Sequence, residues 1–464
     1  MKRLAVILLA ISALLSCTHD DIVREGPEGV TPPPVEIEDD ADDVNWPKAV
    51  AYAFDESVIP EIHISVSREE WERLLKLYDQ NSNTQEYIHC DILYIKGRET
   101  TLLEDSALRL KGNTSRRRPQ DGDKFRHIHF GINFHHWHND ASHTLKGLRK
   151  VDLKWFKDDP MYVREVYCYD LFRREGVWTA IRDIYCRVWL KVGDGDELYY
   201  GVYGMMEHID KNYLRIRKNE FGSKDGNLWK CRYGATLKDV NTSIGADNNS
   251  TDYLYELKTN KEKGLATAKE QLQDFIRNLN NLSGSEFDKW ISSHMDVDMF
   301  LKTLAVNVAV GMWDDYWNNS NNYYLYFNST DTRNYKVWFI PYDYDNTLGT
   351  SQNCGVQSDA GRQNPLQWGH QSYPLCTKIL QNETWKKTYI SYLKQLCSGN
   401  FSASASKQRI QQWQGRIQQY VSNDTGEDMK IEDRPAPWGN HGEYRLLSSS
   451  NNFFDVKASV VNSL

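Results

Sequence analysis

Between Gly311 and Gly349 the chain reads GMWDDYWNNSNNYYLYFNSTDTRNYKVWFIPYDYDNTLG, and no other stretch restricts the fold so much. Residues 323–327 and 335–340 are aromatic and β-branched, and the polar residues 328–334 lie between them, so the two runs are predicted to pair as a hairpin. Folding back in this way would bring Asp343 and Asp345 beside Asp314, Asp315, Asn321 and Asn322. Clustered carboxylates repel one another unless protons or a cation neutralise them. Hard oxygen donors suit Mg²⁺, Mn²⁺ or Ca²⁺, so a divalent-cation site is expected there.

A chain of 464 residues, 40% hydrophobic, 12% aromatic and 26% charged, has enough apolar material for one large domain or two ordinary ones. Its net charge of −8 argues against a nucleic-acid partner, because phosphate backbones recruit basic surfaces. The 15 Trp and 27 Tyr fit either a large aromatic core or surfaces that stack on sugars or partner proteins.

At the N-terminus, Lys2-Arg3 precedes the apolar run from Leu4 to Leu15, which is too short to span a bilayer and reads as a signal peptide over residues 1–16. Leu14-Leu15-Ser16-Cys17 resembles a bacterial lipobox, which makes Cys17 the expected lipidation site and the membrane a partner through that anchor. Residues 17–46 read as a tether: ten of the residues from Asp20 to Asp43 are acidic, and Pro32-Pro33-Pro34 interrupts them. The acidic residues directly after Cys17 resemble surface-export signals of Bacteroidetes lipoproteins. The expected location is therefore the bacterial cell envelope, lipid-anchored in the outer membrane and exposed at the surface. The other seven cysteines show no zinc-type spacing and read mostly as buried thiols, with Cys354 and Cys376 a plausible disulfide.

The folded domain is expected over residues 47–464. Alternation predicts strands at 61–67, 87–95, 106–110 and 128–134, and a hairpin of 184–192 with 198–206. Ser67-Arg68-Glu69-Glu70 caps a short helix, and a second helix follows Asp158-Asp159-Pro160. Beyond about residue 260 the apolar residues recur at helical spacing, as in Leu272, Phe275, Ile276 and Leu279, and read as core faces. The expected class is α+β, a β-rich N-terminal part and a helical C-terminal part with the acidic hairpin inserted.

Three further groups carry polar chemistry. Arg109-Leu110-Lys111-Gly112-Asn113-Thr114-Ser115, with Arg116 to Arg118 and Lys124 beyond it, suits either a phosphate cradle or a solvated basic turn. Tyr200 to Asp210 is a strand running into Glu207-His208-Ile209-Asp210, and Gly226 to Lys230 is a short strand ending in a lysine.

In their order, RLKGNTS, DDPM, YYGVYGMMEHID, GNLWK, WDDYWNNSNNYYLY and WFIPYDYDNTLG closely resemble the CotH kinase family, over roughly residues 60–349. The resemblance implies a distorted protein-kinase-like fold, with residues 350–464 as its helical C-terminal part. It also implies transfer of the γ-phosphoryl group of ATP to protein Ser or Thr with Mg²⁺ or Mn²⁺. It casts Asp314 or Asp315 as the residue that orients or deprotonates the acceptor hydroxyl. Asp343 and Asp345, with Asn321 or Asn322, become metal ligands. Lys111, Asn113, Lys124 and Lys230 become nucleotide contacts, and Glu207 a carboxylate that orients a lysine. The chain departs from protein kinases proper in having no GxGxxG, HRD or DFG motif. An alternative is a non-catalytic surface lipoprotein that binds glycans or host proteins; the full acidic set favours the enzyme.

Overall fold

The computed structural model describes residues 46–138, 143–246, 253–350, 359–436 and 444–464. In chain order the first strands are β1 (Glu61–Val66), β2 (Ile88–Lys96), β3 (Glu99–Lys111), the two-residue pieces β4 (Gln120–Asp121) and β5 (Lys124–Phe125), β6 (His129–Asn133), β7 (Lys150–Trp155), β8 (Asp183–Val192) and β9 (Leu198–Glu207). All but β4 and β5 close into a seven-stranded barrel in the order β1-β2-β3-β6-β7-β9-β8. The closing pair is parallel, with Ile62 opposite Val188 and Ile64 opposite Leu190. Closure leaves no barrel strand with an unpaired edge. Alternation locates β1, β2, β6, β8 and β9 and the second half of β3 but misses β7, and it carries no sign of the barrel, because closure depends on two strands that are distant in the chain.

The pleat decides which residues can do chemistry. On β7, Val151, Leu153 and Trp155 pack into the barrel core. Lys150, Asp152 and Lys154 are therefore turned to the outer face.

Helix α1 (Arg68–Gln80) starts as its capping box predicts: the Ser67 hydroxyl accepts from the Glu70 N–H at 3.1 Å, and Trp71 and Leu74 are buried. Helix α2 (Arg164–Arg174) starts later than Pro160. The Asp159 carboxylate accepts from the N–H groups of Met161, Val163 and Arg164 at 3.1, 2.8 and 2.8 Å. Every side chain from Arg164 to Phe172 is buried, so α2 is a core element rather than a surface helix.

The second sheet holds β10 (Asn227–Cys231), β11 (Ile244–Gly245), β12 (Tyr255–Leu257), β13 (Tyr323–Phe327) and β14 (Val337–Pro341) in the order β11-β12-β10-β13-β14. The acidic hairpin forms as expected, with Tyr323 opposite Pro341 and Phe327 opposite Val337. It is not an isolated insertion, however. β13 also pairs with β10, where Lys230 lies opposite Tyr324, so the hairpin completes a sheet.

Helices α3 (Lys261–Asn281), α4 (Val297–Ala309), α5 (Tyr316–Asn319), α6 (Glu383–Ser398) and α7 (Ala403–Ile417) fill the later part of the chain. Their predicted apolar stripes, such as Leu272, Phe275, Ile276 and Leu279, are buried. The architecture is thus α+β with the strands concentrated early. Cys90, Cys168, Cys186, Cys231, Cys376 and Cys397 are buried free thiols. Cys354, Cys17 and the tether lie outside the described residues. Among the described residues no helix is long and apolar enough to cross a membrane.

Candidate functional site

Lys154, on the outer face of β7, is held by three carboxylates. Its ammonium donates to Glu165 Oε2 at 2.7 Å and Asp345 Oδ2 at 3.2 Å, and it also bonds Asp343 Oδ1. Glu165 comes from the first turn of α2, and the two aspartates come from the turn that leaves β14. That turn is fixed to α2: the Asp343 N–H donates to the Tyr169 hydroxyl at 2.9 Å, and the Tyr344 N–H reaches Glu165 Oε1 at 3.3 Å. Asp343 takes a positive φ of 63° to make the turn. One oxygen each from Glu165, Asp343 and Asp345 lies within 4.8 Å of the others. This set of three carboxylate oxygens around one ammonium fits a hard divalent cation.

The electrostatics follow from that crowding. Burial opposes the Lys154 charge, but Asp343, Asp345 and Glu165 outweigh it and hold the ammonium well above its usual range. Burial would raise Asp343, yet Lys154 holds its carboxyl below the ordinary value. Burial raises Glu165 and Asp345 in spite of Lys154. Asp345 Oδ1 is buried without a hydrogen-bond partner. A donor-poor oxygen in an acidic pocket is where a cation would sit.

At the other end of the hairpin the adjacent aspartates differ. Asp315 is 5% exposed and faces the core. It caps α5 by accepting from the Asn318 N–H at 2.6 Å, and it also accepts from the Asn307 amide and, at 3.2 Å, from Trp368 Nε1. Burial pushes its pKa up to about 7. Asp314 is only partly buried and accepts from the amides of Asn319, Asn321 and Asn322. Burial pushes it up to about 6, and the nearby Asp343 charge adds to the shift. The hairpin therefore does bring Asp314 toward Asp343, while the Asn321 and Asn322 amide donors are directed at Asp314.

A basic wall adjoins the acidic pocket. Lys111 leaves β3, crosses Gly131 on β6 and bonds Asp152 on β7, which also accepts from His208 at 2.8 Å. A Cβ on Gly131 would lie 3.1 Å from two carbons of the Lys111 side chain, so the glycine leaves the crossing open. Lys230 stands 5.4 Å from the Tyr342 ring centre, and no carboxylate pairs with its ammonium among the described residues. Burial, with the charges of Arg232 and Lys258, lowers its pKa to about 7.

The remaining predicted residues are placed differently. Asn113 lies exposed in the turn after β3, and Lys124 is exposed on β5. Glu207 orients no lysine: both its oxygens bond Arg217, at 2.6 and 2.7 Å. Its position at a strand end suggested a cleft, but an arginine from the following helical turn occupies it. The carboxylate that does orient a lysine is Glu165, which sequence reasoning missed along with Lys154. The available signal was an acid among the apolar residues of α2 and a lysine at an alternate position of β7.

The family model described as CotH kinase protein matches residues 108–451, which include every residue of the pocket and the basic wall. Inner spore coat protein H of Bacillus subtilis is 27% identical over 62% of this chain and 73% of its own length. Invasin CotH7 of Rhizopus delemar is 26% identical over 55% of this chain and 42% of its own. Spore coat protein homolog 1 of the same fungus is 22% identical over 55% of this chain and 41% of its own. The aligned region thus spans less than half of each fungal relative.

Proposed function

The chain belongs to the CotH kinase family, and from that premise we propose that it is an atypical, metal-dependent protein kinase with a distorted kinase-like fold. The observation that carries this reading is Lys154, held between Glu165 of a helix and the Asp343–Asp345 pair. Protein kinases use a strand lysine paired with a helix glutamate, next to a metal-binding aspartate, to position ATP.

In this reading Asp343 and Asp345 hold Mg²⁺ or Mn²⁺, with Asn321 or Asn322 as a neutral ligand. The bound ion neutralises charge on the phosphates of ATP. Lys154, Lys111 and Lys230 face the phosphates, with Asn113 and Lys124 at the outer edge. Asp314, more accessible than Asp315, orients a protein Ser or Thr hydroxyl and accepts its proton. The hydroxyl oxygen bonds to the γ-phosphorus as the bridging P–O bond breaks and ADP leaves. We assign the folded domain to residues 47–464, with Cys17 lipidated and the tether holding the enzyme at the outer face of a bacterial envelope.

The test is transfer of labelled γ-phosphate, by the full chain in detergent, to itself or to casein-like protein with Mg²⁺ or Mn²⁺. Metal-dependent transfer that disappears in Asp343→Asn and Asp314→Asn supports the reading. No transfer and no ATP-induced thermal shift would reject it. The invasin among the relatives favours a second reading: a non-catalytic surface protein that binds glycans or host proteins. Binding screens against those ligands decide it once transfer has failed.

A further inference from the structure

One face of the second sheet carries cations that the scheme above does not use. Lys230 on β10 stands opposite Glu256 on β12 and Tyr324 on β13. Lys258 lies two residues beyond Glu256 and Arg232 two beyond Lys230, so the pleat turns both to that same face. Glu256 is fully buried and binds both of them: it accepts from Lys258 Nζ at 2.7 Å and from the Arg232 guanidinium. Arg109 on β3 adds its charge, which with burial and Arg232 lowers the Lys258 pKa in spite of Glu256. The Arg109 side chain itself donates to neutral groups, the Tyr87 hydroxyl at 3.1 Å and Gln85 Oε1.

Several cations thus stand around one carboxylate, and clustered like charges are costly until an anion joins them. Solvent reaches the cluster, since the Arg232 and Lys258 side chains are 28% and 25% exposed. Its place points to what it binds. The turn after Arg232 is tied to the loop that carries Asp314, because the Gly234 N–H donates to Ser320 O at 3.0 Å. Between Arg232 and Gly234, Tyr233 is 67% exposed, more than any other large hydrophobic residue described. The phosphates of ATP already have Lys154, Lys111 and Lys230, and the nucleoside itself is neutral. Arg232 and Lys258 are then left for an anion on the polypeptide, the usual target of such clusters.

We propose that the acceptor is an acidic polypeptide, in which a carboxylate beside the target Ser or Thr docks on Arg232 and Lys258 while the chain passes over Tyr233. This rests on the reading of Asp314 as the residue that meets the acceptor hydroxyl, and it names the class of acceptor.

The experiment measures binding of fluorescent peptides to the purified full chain in detergent, without ATP, by anisotropy. One peptide has Asp on both sides of a single Ser, and its control has Asn at those positions. The expected result is binding of the Asp peptide at least about tenfold tighter, by a margin that shrinks as salt is raised. Arg232→Gln and Lys258→Gln should each remove most of that margin and weaken ATP binding by less. Equal binding of the two peptides by the wild type overturns the proposal. So does a margin that survives in both variants, or an ATP affinity that falls as far as the peptide affinity. Tighter binding of polygalacturonate, an acidic polysaccharide, than of the Asp peptide also overturns it. Should the variants not fold, the two peptides on the wild type decide: a salt-sensitive margin supports the proposal, and no margin rejects it. The two readings fail separately. Phosphoryl transfer without a preference for the Asp peptide leaves the kinase and removes the acidic acceptor. Preference without transfer does the reverse.

Discussion

Lys154 and Glu165 meet at 2.7 Å, a strand lysine and a helix glutamate whose side chains are 17% and 7% exposed. Removing one member of a buried ion pair leaves the other uncompensated, which costs about 3–5 kcal/mol. Lys154→Met would leave Glu165, Asp343 and Asp345 facing one another. The expected result is a large drop in melting temperature that Mn²⁺ partly reverses, and transfer reduced by more than about a hundredfold. Thermal melts with and without metal, beside a transfer assay, check both.

In the proposed reaction, Asp314 should impose a pH dependence. As a base it works only when deprotonated, and burial has moved its pKa up to about 6. Transfer should rise as pH climbs through that value. Asp314→Asn should remove about two to four orders of magnitude and abolish this limb, with little change in melting temperature. A pH–rate profile of both proteins is the measurement.

Asp315 should act on stability instead. Its folded pKa, about 7, lies above the unfolded carboxylate value, so the folded state holds the extra proton between the two. The stability this group contributes is fully present below the unfolded pKa and is lost as pH rises through about 7. Asp315→Asn should flatten that slope. It should also cost about 1–3 kcal/mol, because an amide cannot accept from Asn318, Asn307 and Trp368 together. Urea unfolding across pH reads both effects.

Lys230 should set an opposing limb. With a pKa lowered to about 7 it loses its charge as pH rises through that value, and anion affinity should fall with it. Lys230→Met should weaken ATP binding and remove this pH dependence without lowering the melting temperature, since no carboxylate partner is stranded. Titration calorimetry at two pH values tests it.

Gly131→Ala should push Lys111 out of its crossing between β3 and β7, where a methyl would stand 3.1 Å from the chain. A cost of about 1–3 kcal/mol is expected from overpacking, together with weaker ATP binding. Unchanged stability and affinity would show that Lys111 yields freely.

The acidic hairpin was legible because its determinants are local: alternating aromatic strands, a polar turn and acids at both ends predict their own proximity. The core stripes of α3 and α7 were legible for the same reason, since helical spacing alone places Leu272 with Leu279 and Ile410 with Ile417. Asp314 and Asp315 are indistinguishable as neighbours in the chain. Only packing separates them, by turning one into the core against Asn307 and Trp368. Glu207 shows the opposite limit, an acid at a strand end whose partner, Arg217, is chosen by the barrel wall.

What the sequence by itself determined is the acid-bracketed hairpin, the positions of most barrel strands other than β7, and the family. What only the tertiary structure decided is the lysine that the acids surround, the strand β7 that carries it, and the glutamate that orients it. Closure of the barrel between β1 and β8 fixes where the outer face of β7 points, and α2 is then held against the turn that leaves β14. Those contacts join residues far apart in the chain, so no local pattern encodes them.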